Sequence, residues 1–481
     1  MSTTSIIINI LFALMIVNIF FSIALIFFER RNPSTTWAWV VVLLFIPGLG
    51  SVLYMFLGQD LRKKKVFILK EEYDIAQIAH RQQDLLNHFD KSHNPLIAQD
   101  MDLIHLHLNN SNSIFTHNNH VHVLNNGAEK FPVLLHKLRE AKHHIHMEYY
   151  IIRNDAIGRQ VRDILVEKAQ QGVQVRLLYD GMGCLTLPKS FFTPLQKAGG
   201  EIAEFYPPFL PHINIRVNYR NHRKIIVIDG KTGFIGGLNL GDEYLGLSPK
   251  YGFWRDIHLL VEGDAVDGLQ HYFLMDWQFA SHKKFFTLQE YFPIKTMEGN
   301  TGVQIVSSGP DSKWAAIRQG YLKMIMKAEK SIYIETPYLI PDDSLAEALK
   351  VAALGGVDVK IIIPCKPDHP FVFWASLSYT GDLLEAGARV FTYMNGFLHS
   401  KLLIVDGRIC SIGTANFDMR SFKLNFEINA FIYDPFIAKQ LEETFNNDLI
   451  QSQERTIKWY QHRPLHMRFK ESVSRLVSPL L

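Results

Sequence analysis

The chain has 481 residues, room for two or three domains and a large buried core. Its net charge of +3 is too small to argue for a nucleic-acid partner. Cys184, Cys365 and Cys410 lie far apart with no CxxC, which excludes a disulfide framework or a zinc site and points to a reducing compartment.

Ile6–Phe28 runs 23 residues without a charge, long enough to cross a hydrocarbon core. It has no Lys or Arg before it and no small-x-small site after it, which reads against a secretory signal. Trp37–Leu57 is a second uncharged run of 21 residues, and its Pro47-Gly48-Leu49-Gly50 predicts a kink or a close helix–helix approach. Two spans would return the chain to the side on which it began. Arg62–Lys65 after the second run outweighs Arg30-Arg31 between the runs. The positive-inside rule then puts the rest of the chain on the cytoplasmic face of the cell membrane. Residues 1–60 are thus expected to form a two-span anchor. Residues 61–110 are expected to form a basic, helical linker, with Ile75, Ile78, Leu85 and Leu86 at helical spacing.

From about Asn109 strands and helices alternate, and residues 111–290 are echoed by residues 291–481. His144–Ile152 parallels Ser331–Ile340, and Gln171–Tyr179 parallels Gly355–Ile363. The shrinking offset predicts extra residues in the first half, within Pro207–Tyr219. Each half reads as a β-rich α/β layer of buried strands between helices. Glu148 and Glu335 recur at equivalent strand ends, either facing a site or bridging an interface. His143, His144 and His146 lack HExxH spacing and are read as solvated or partner-facing rather than as metal ligands.

One constellation occurs twice. His222-Arg223-Lys224 leads through an apolar run to Asp229-Gly230, and His399-Ser400-Lys401 leads likewise to Asp406-Gly407. In each copy an Asn follows its His by seventeen residues, as Asn239 in Gly236-Gly237-Leu238-Asn239 and Asn416 in Gly413-Thr414-Ala415-Asn416. Duplication of the whole set argues against two incidental core histidines. Residues i and i+2 of a strand share a face, so His and Lys project together. A two-residue Asp-Gly hairpin loop would place Gly237 opposite His222 and Thr414 opposite His399. Those small residues would leave open backbone N–H groups beside the imidazole, with Asn239 and Asn416 as amide donors. Imidazole, ammonium, amide and open N–H groups together suit a phosphate diester.

These residues resemble the phospholipase D superfamily, whose mark is HxKxxxxD followed by a G-[GS]-x-N turn, twice per active site; the likeness covers most of Asn109–Ile450. It implies two pseudo-twofold related α/β sandwich halves with mixed sheets. It also implies catalytic roles for His222, Lys224, Asp229, His399, Lys401 and Asp406, and no metal or other cofactor. One His would be the nucleophile that forms a phosphohistidine and the other the general acid, with the first copy, His222, usually the nucleophile. Family members carry an orienting Glu about thirty residues after the His. Glu427 fits for His399, and the first copy offers only Asp256 for His222. On that pairing His399 would be the better supported imidazolium and general acid.

The flanks narrow the resemblance. The two apolar runs, Gly236–Tyr244, Gly252–His258, Asp418–Ser421 and the closing Ser474–Leu481 look like bacterial cardiolipin synthases. The implied reaction is phosphatidyl transfer between two phosphatidylglycerols, giving cardiolipin and glycerol. The implied partners are anionic membrane lipids, with no nucleic acid expected. A membrane-tethered nuclease of the same fold and a non-catalytic scaffold are the competing classes. The tail from Lys458 interleaves basic and aromatic residues. It suits a headgroup-level surface or an ordinary closing helix.

Overall fold

A computed structural model describes residues 95–207, 219–283, 289–295 and 298–478, a helix at Pro33–Phe45 and scattered positions before residue 55. Most of Ile6–Phe28 falls outside the described residues, as do most positions of Trp37–Leu57 after Ile46 and most of Pro207–Tyr219. Among the described residues no helix is long and apolar enough to cross a membrane. The chain divides into two compact units, Met1–Lys64 with Pro208–Tyr219, and Lys65–Pro207 with Arg220–Leu481. In the first, Val40 and Leu43 of the helix are buried, and Asn18 donates its amide to the Leu43 carbonyl at 2.8 Å.

The second unit is built on two mixed sheets. The first contains β1 (Asn119–Asn125), β2 (His144–Tyr149), β3 (Gln174–Asp180), β4 (Glu201–Phe205), β5 (Ile225–Ile228), β6 (Thr232–Gly236) and β7 (Ile257–Gly263). The second contains β8 (Gly302–Ser308), β9 (Ser331–Glu335), β10 (Asp358–Pro364), β11 (Arg389–Tyr393), β12 (Leu402–Val405), β13 (Ile409–Gly413) and β14 (Asn425–Tyr433). Their spatial orders are β1-β7-β6-β5-β2-β3-β4 and β8-β14-β13-β12-β9-β10-β11, the same path twice. The second sheet is extended at its edges by Phe115–Thr116 and Ser452–Arg455. β2, β3 and β4 run parallel, as do β9, β10 and β11, and helices cross between them. β5 and β12, which follow the His-x-Lys stretches, are buried at every position, as strands covered on both faces require.

Two local readings change. Met101–Ser111, placed by sequence in a linker, is a helix whose Leu103, Ile104 and Leu108 pack in the core of the second sheet. Its apolar stripe is satisfied there, and Gln304 of β8 donates to the Ile104 carbonyl at 3.1 Å. Of the histidine cluster only His143 is exposed, whereas His144 and His146 are fully buried in β2. Gln270 bonds both rings, at 3.0 Å to His144 Nε2 and 2.8 Å to His146 Nδ1, and burial pushes both imidazoles down, His144 to about 4. β2 is central, so both its faces are covered and alternation no longer signals exposure.

Candidate active site

The Asp-Gly turns form as two-residue turns with positive φ at both positions, 54° and 64° at Asp229-Gly230 and 55° and 58° at Asp406-Gly407. Lys231 and Arg408 N–H close them on Ile228 and Val405. Beyond the turn the ladder slips by one residue. Ile225 faces Ile235 and Leu402 faces Ile412, so an extra residue is absorbed at the turn. The expected placement of Gly237 opposite His222 and Thr414 opposite His399 therefore fails.

The slip redirects the small-residue turns. Gly237 N–H is bonded to the Ile257 carbonyl at 3.1 Å and Thr414 N–H to the Ile428 carbonyl at 2.9 Å, so neither is open to a phosphate. Gly237 instead makes room for a carboxylate, since a Cβ there would sit 2.2 Å from Asp256 Oδ1. Thr414 Oγ1 accepts from Ile428 N–H at 2.9 Å and helps hold Glu427 low. Both positions thus support carboxylates. The motif aspartates also lie outside the cleft. Asp229 accepts backbone N–H groups of Lys142, His143 and His144, and Asp406 those of Glu329, Lys330 and Ser331. Each ties its hairpin turn to the start of the neighbouring strand, and neither is placed to act on a ligand beside the imidazoles.

The two halves meet through short parallel ladders. Arg220-Asn221 pairs with Asn425-Phe426, and Phe397-Leu398 pairs with Trp254-Arg255. Extending each register by one residue puts His222 beside Glu427 and His399 beside Asp256. The side chains meet accordingly. His222 Nδ1 lies 3.0 Å from both Glu427 oxygens, and His399 Nδ1 lies 2.7 Å from Asp256 Oδ2. The partners expected from spacing within each copy are therefore exchanged. Each carboxylate stands on its own half and serves the histidine of the other.

Both carboxylates are fully buried. Burial pushes Asp256 up, but Lys401 and His399 outweigh it; for Glu427, His222 and Lys224 do the same, so both carboxyls are held below their ordinary range. Burial lowers both imidazoles to about 4, against the pull of Glu427 on His222, and with Lys401 opposing Asp256 at His399. The resting pairs are thus neutral imidazole with ionised carboxylate. A carboxylate at Nδ1 fixes the proton there, which leaves the Nε2 lone pair for chemistry. Lys224 and Lys401 are buried behind the rings and donate to the carbonyls of His222 and His399 at 2.7 and 2.5 Å. Burial lowers them to about 7 and about 8.

His222 and His399 both line one cleft of about 680 Å³. Asn239 and Asn416 line it too. The Asn239 oxygen accepts from Ile151 N–H at 3.2 Å, so its NH₂ group is the donor end, whereas among the described residues the Asn416 oxygen is a buried acceptor with no partner. Sequence reasoning missed Arg220, Arg420 and Tyr150 in the same lining. Arg220 had a legible signal, because it stands two residues before His222 on an extended segment. Tyr150 meets the His222 ring edge-on at 4.9 Å, and Trp254 lies 5.1 Å from the His399 ring.

Glu148 and Glu335 do not reach the cleft. Glu148 accepts from Asn221 at 2.5 Å, next to the buried Arg223–Asp276 pair. Glu335 is fully buried and neighbours Asp448 and Arg255, themselves paired at 2.6 Å. Burial and the adjacent aspartates push both glutamates up, Glu335 to about 8.

The family described as cardiolipin synthase, PLD-like domain, matches residues 134–277 and 321–449, and the phospholipase D-nuclease N-terminal family matches residues 16–59. The chain is 50% identical to the major cardiolipin synthase ClsA of Bacillus subtilis (strain 168), over 100% of both chains. It is 48% identical to a cardiolipin synthase of Oceanobacillus iheyensis, also over 100% of both. Phosphatidylserine synthase from Haemophilus influenzae shares the fold at a TM-score of 0.62 and 15% identity, covering 78% of this chain and 99% of that one. A full-length match at this identity, over a fold that carries both motif histidines into one cleft, places the chain in the cardiolipin synthase family of the phospholipase D superfamily, a family of phosphatidyltransferases.

Proposed function

We propose that the chain joins two phosphatidylglycerol molecules into cardiolipin and releases glycerol, through a phosphohistidine. The observation that carries this reading is the pair of buried imidazoles, each held at Nδ1 by a carboxylate and both lining one cleft. Nε2 of His222 attacks phosphorus, the bond to the glycerol oxygen breaks, and His399 gives that oxygen a proton. Neutral His399 then takes the proton from the hydroxyl of a second phosphatidylglycerol. The freed oxygen attacks phosphorus, the N–P bond breaks, and cardiolipin forms.

Both imidazoles are neutral at rest, and the entering phosphodiester anion favours uptake of one proton from solvent at His399 Nε2, which the first step passes to glycerol and the second step restores. Lys224, Lys401 and the Asn239 amide stabilise the negative charge that gathers on the phosphoryl oxygens. Assigning His222 as the nucleophile follows the first-copy order of the superfamily. The argument from carboxylate spacing lapses with the exchange of partners. The same reading puts the chain at the cell membrane, anchored through Ile6–Phe28 and Trp37–Leu57, with its catalytic part on the cytoplasmic face.

The test is to incubate the detergent-solubilised chain with labelled phosphatidylglycerol and, separately, with a labelled oligonucleotide. Cardiolipin and an equal amount of glycerol are expected, the oligonucleotide stays intact, and His222→Ala and His399→Ala each abolish product. Oligonucleotide cleavage without cardiolipin would overturn the reading.

A further inference from the structure

The C-terminal helix Leu465–Val477 is fixed to the domain by its polar side. Glu471 and Ser474 are buried, and Arg463 grips Glu471 with Nη2 at 2.7 Å. Arg475 reaches Asp382 at 2.9 Å and the Ser378 carbonyl at 3.2 Å on helix Pro370–Glu385. The opposite side carries Leu465, Phe469 and Leu476, which are 79, 71 and 82% exposed. At 3.6 residues per turn these three share one stripe, with Val473 at its edge. A helix that packs on a protein core buries its apolar stripe. Here the stripe is turned outward and the polar side is spent on anchoring.

Two observations select what covers it. His466, Arg468 and Lys470 flank the stripe and are exposed, so its border is basic. The helix that carries the stripe also packs along one whose first turn lines the cleft. Helix Pro370–Glu385 begins with Pro370, Phe371 and Val372, which line the cleft, and Phe371 is 58% exposed. One turn on, Trp374 carries Lys470 Nζ 5.1 Å from its ring centroid. The N-terminal ends of the two helices therefore lie at the mouth of the cleft.

We propose that this apolar, basic-bordered face seats on an anionic phospholipid bilayer at headgroup level, so that the cleft mouth opens onto the lipid surface. The proposal deepens the phosphatidyl-transfer reading and takes its choice of lipid from it. The stripe enters the acyl boundary, Arg468 and Lys470 meet lipid phosphates, and substrate passes from the bilayer into the cleft without crossing water.

The test uses the full chain in vesicles of phosphatidylglycerol and phosphatidylethanolamine. In Phe469→Trp, the fluorescence added relative to the unaltered chain should be quenched by lipids brominated on the acyl chain. In Glu443→Trp, on exposed surface elsewhere, it should not. The triple change Leu465→Gln, Phe469→Gln and Leu476→Gln should lower kcat/KM on vesicle phosphatidylglycerol by about tenfold. Turnover of short-chain phosphatidylglycerol dissolved as monomers should stay unchanged. Unquenched Phe469→Trp overturns the proposal, as does equal loss on both substrates. A fall in oligomer size in the triple variant without quenching would assign the face to a second copy instead. Failure of phosphatidyl transfer by the unaltered chain would strike the functional reading alone, because the quenching measurement needs no turnover.

Discussion

Glu427→Gln keeps the shape of the side chain and removes its charge. Glu427 is fully buried, faces His222 Nδ1 with both oxygens at 3.0 Å and accepts from the Asn425 amide at 3.0 Å. Attack by Nε2 puts positive charge on the His222 ring, and the carboxylate is the ionised acceptor of its Nδ1–H. A hydrogen bond to a charged group contributes about 1.5–3 kcal/mol. Losing that support in the transition state should lower kcat/KM by roughly tenfold to 150-fold. His222, already lowered to about 4, should fall further, because Glu427 is what raises it against burial. The assays are initial rates of cardiolipin formation and ¹⁵N-histidine spectra, with ring signals assigned from the His222→Gln and His399→Gln chains. Glu427→Gln should move the His222 signals and leave those of His399, and Asp256→Asn should do the reverse. A rate loss under threefold, or a shift confined to His399, would refute the reasoning.

Labelled phosphatidylglycerol quenched in alkali should leave its label on the peptide bearing His222; label on the His399 peptide alone would reverse the two roles. Gly237→Ala should cost about tenfold or more in kcat in a folded chain, because the new Cβ meets Asp256 Oδ1 at 2.2 Å and drives the carboxylate off His399. Activity on detergent-solubilised substrate should be unchanged in excess chelator, and loss restored by zinc or magnesium would count against the two-imidazole mechanism. His107 is buried against Phe431, and burial lowers it to about 3 from 6.5. The unfolded chain then binds a proton that the fold refuses, so this contribution is complete above pH 6.5 and is lost as pH falls toward 3. His107→Leu should reduce the pH dependence of unfolding free energy between pH 6 and 4 by about 1.4 kcal/mol per unit, read by denaturation in detergent.

The duplicated His-x-Lys stretch, its Asp-Gly turn and the buried β5 and β12 were legible in the sequence because each is a local pattern. Strand periodicity and turn chemistry act over a few residues, and repetition of the set made coincidence untenable. That the second half echoes the first was legible for the same reason, since Glu148 and Glu335 mark equivalent strands, although the strand order was not. The ladder slip at Asp229-Gly230 was not, because a bulge adds a residue without altering the turn signature that announces it. That slip decided that Gly237 and Thr414 hold carboxylates rather than phosphate. The exchange of Asp256 and Glu427 was beyond any reading of spacing within a copy, since His222 and Glu427 are 205 positions apart and meet through an interface ladder. Local pattern carries chemistry type along the chain. Which imidazole receives which carboxylate, and which side of Leu465–Val477 is left facing outward, depend on how distant surfaces pack, and that is settled only by the folded whole.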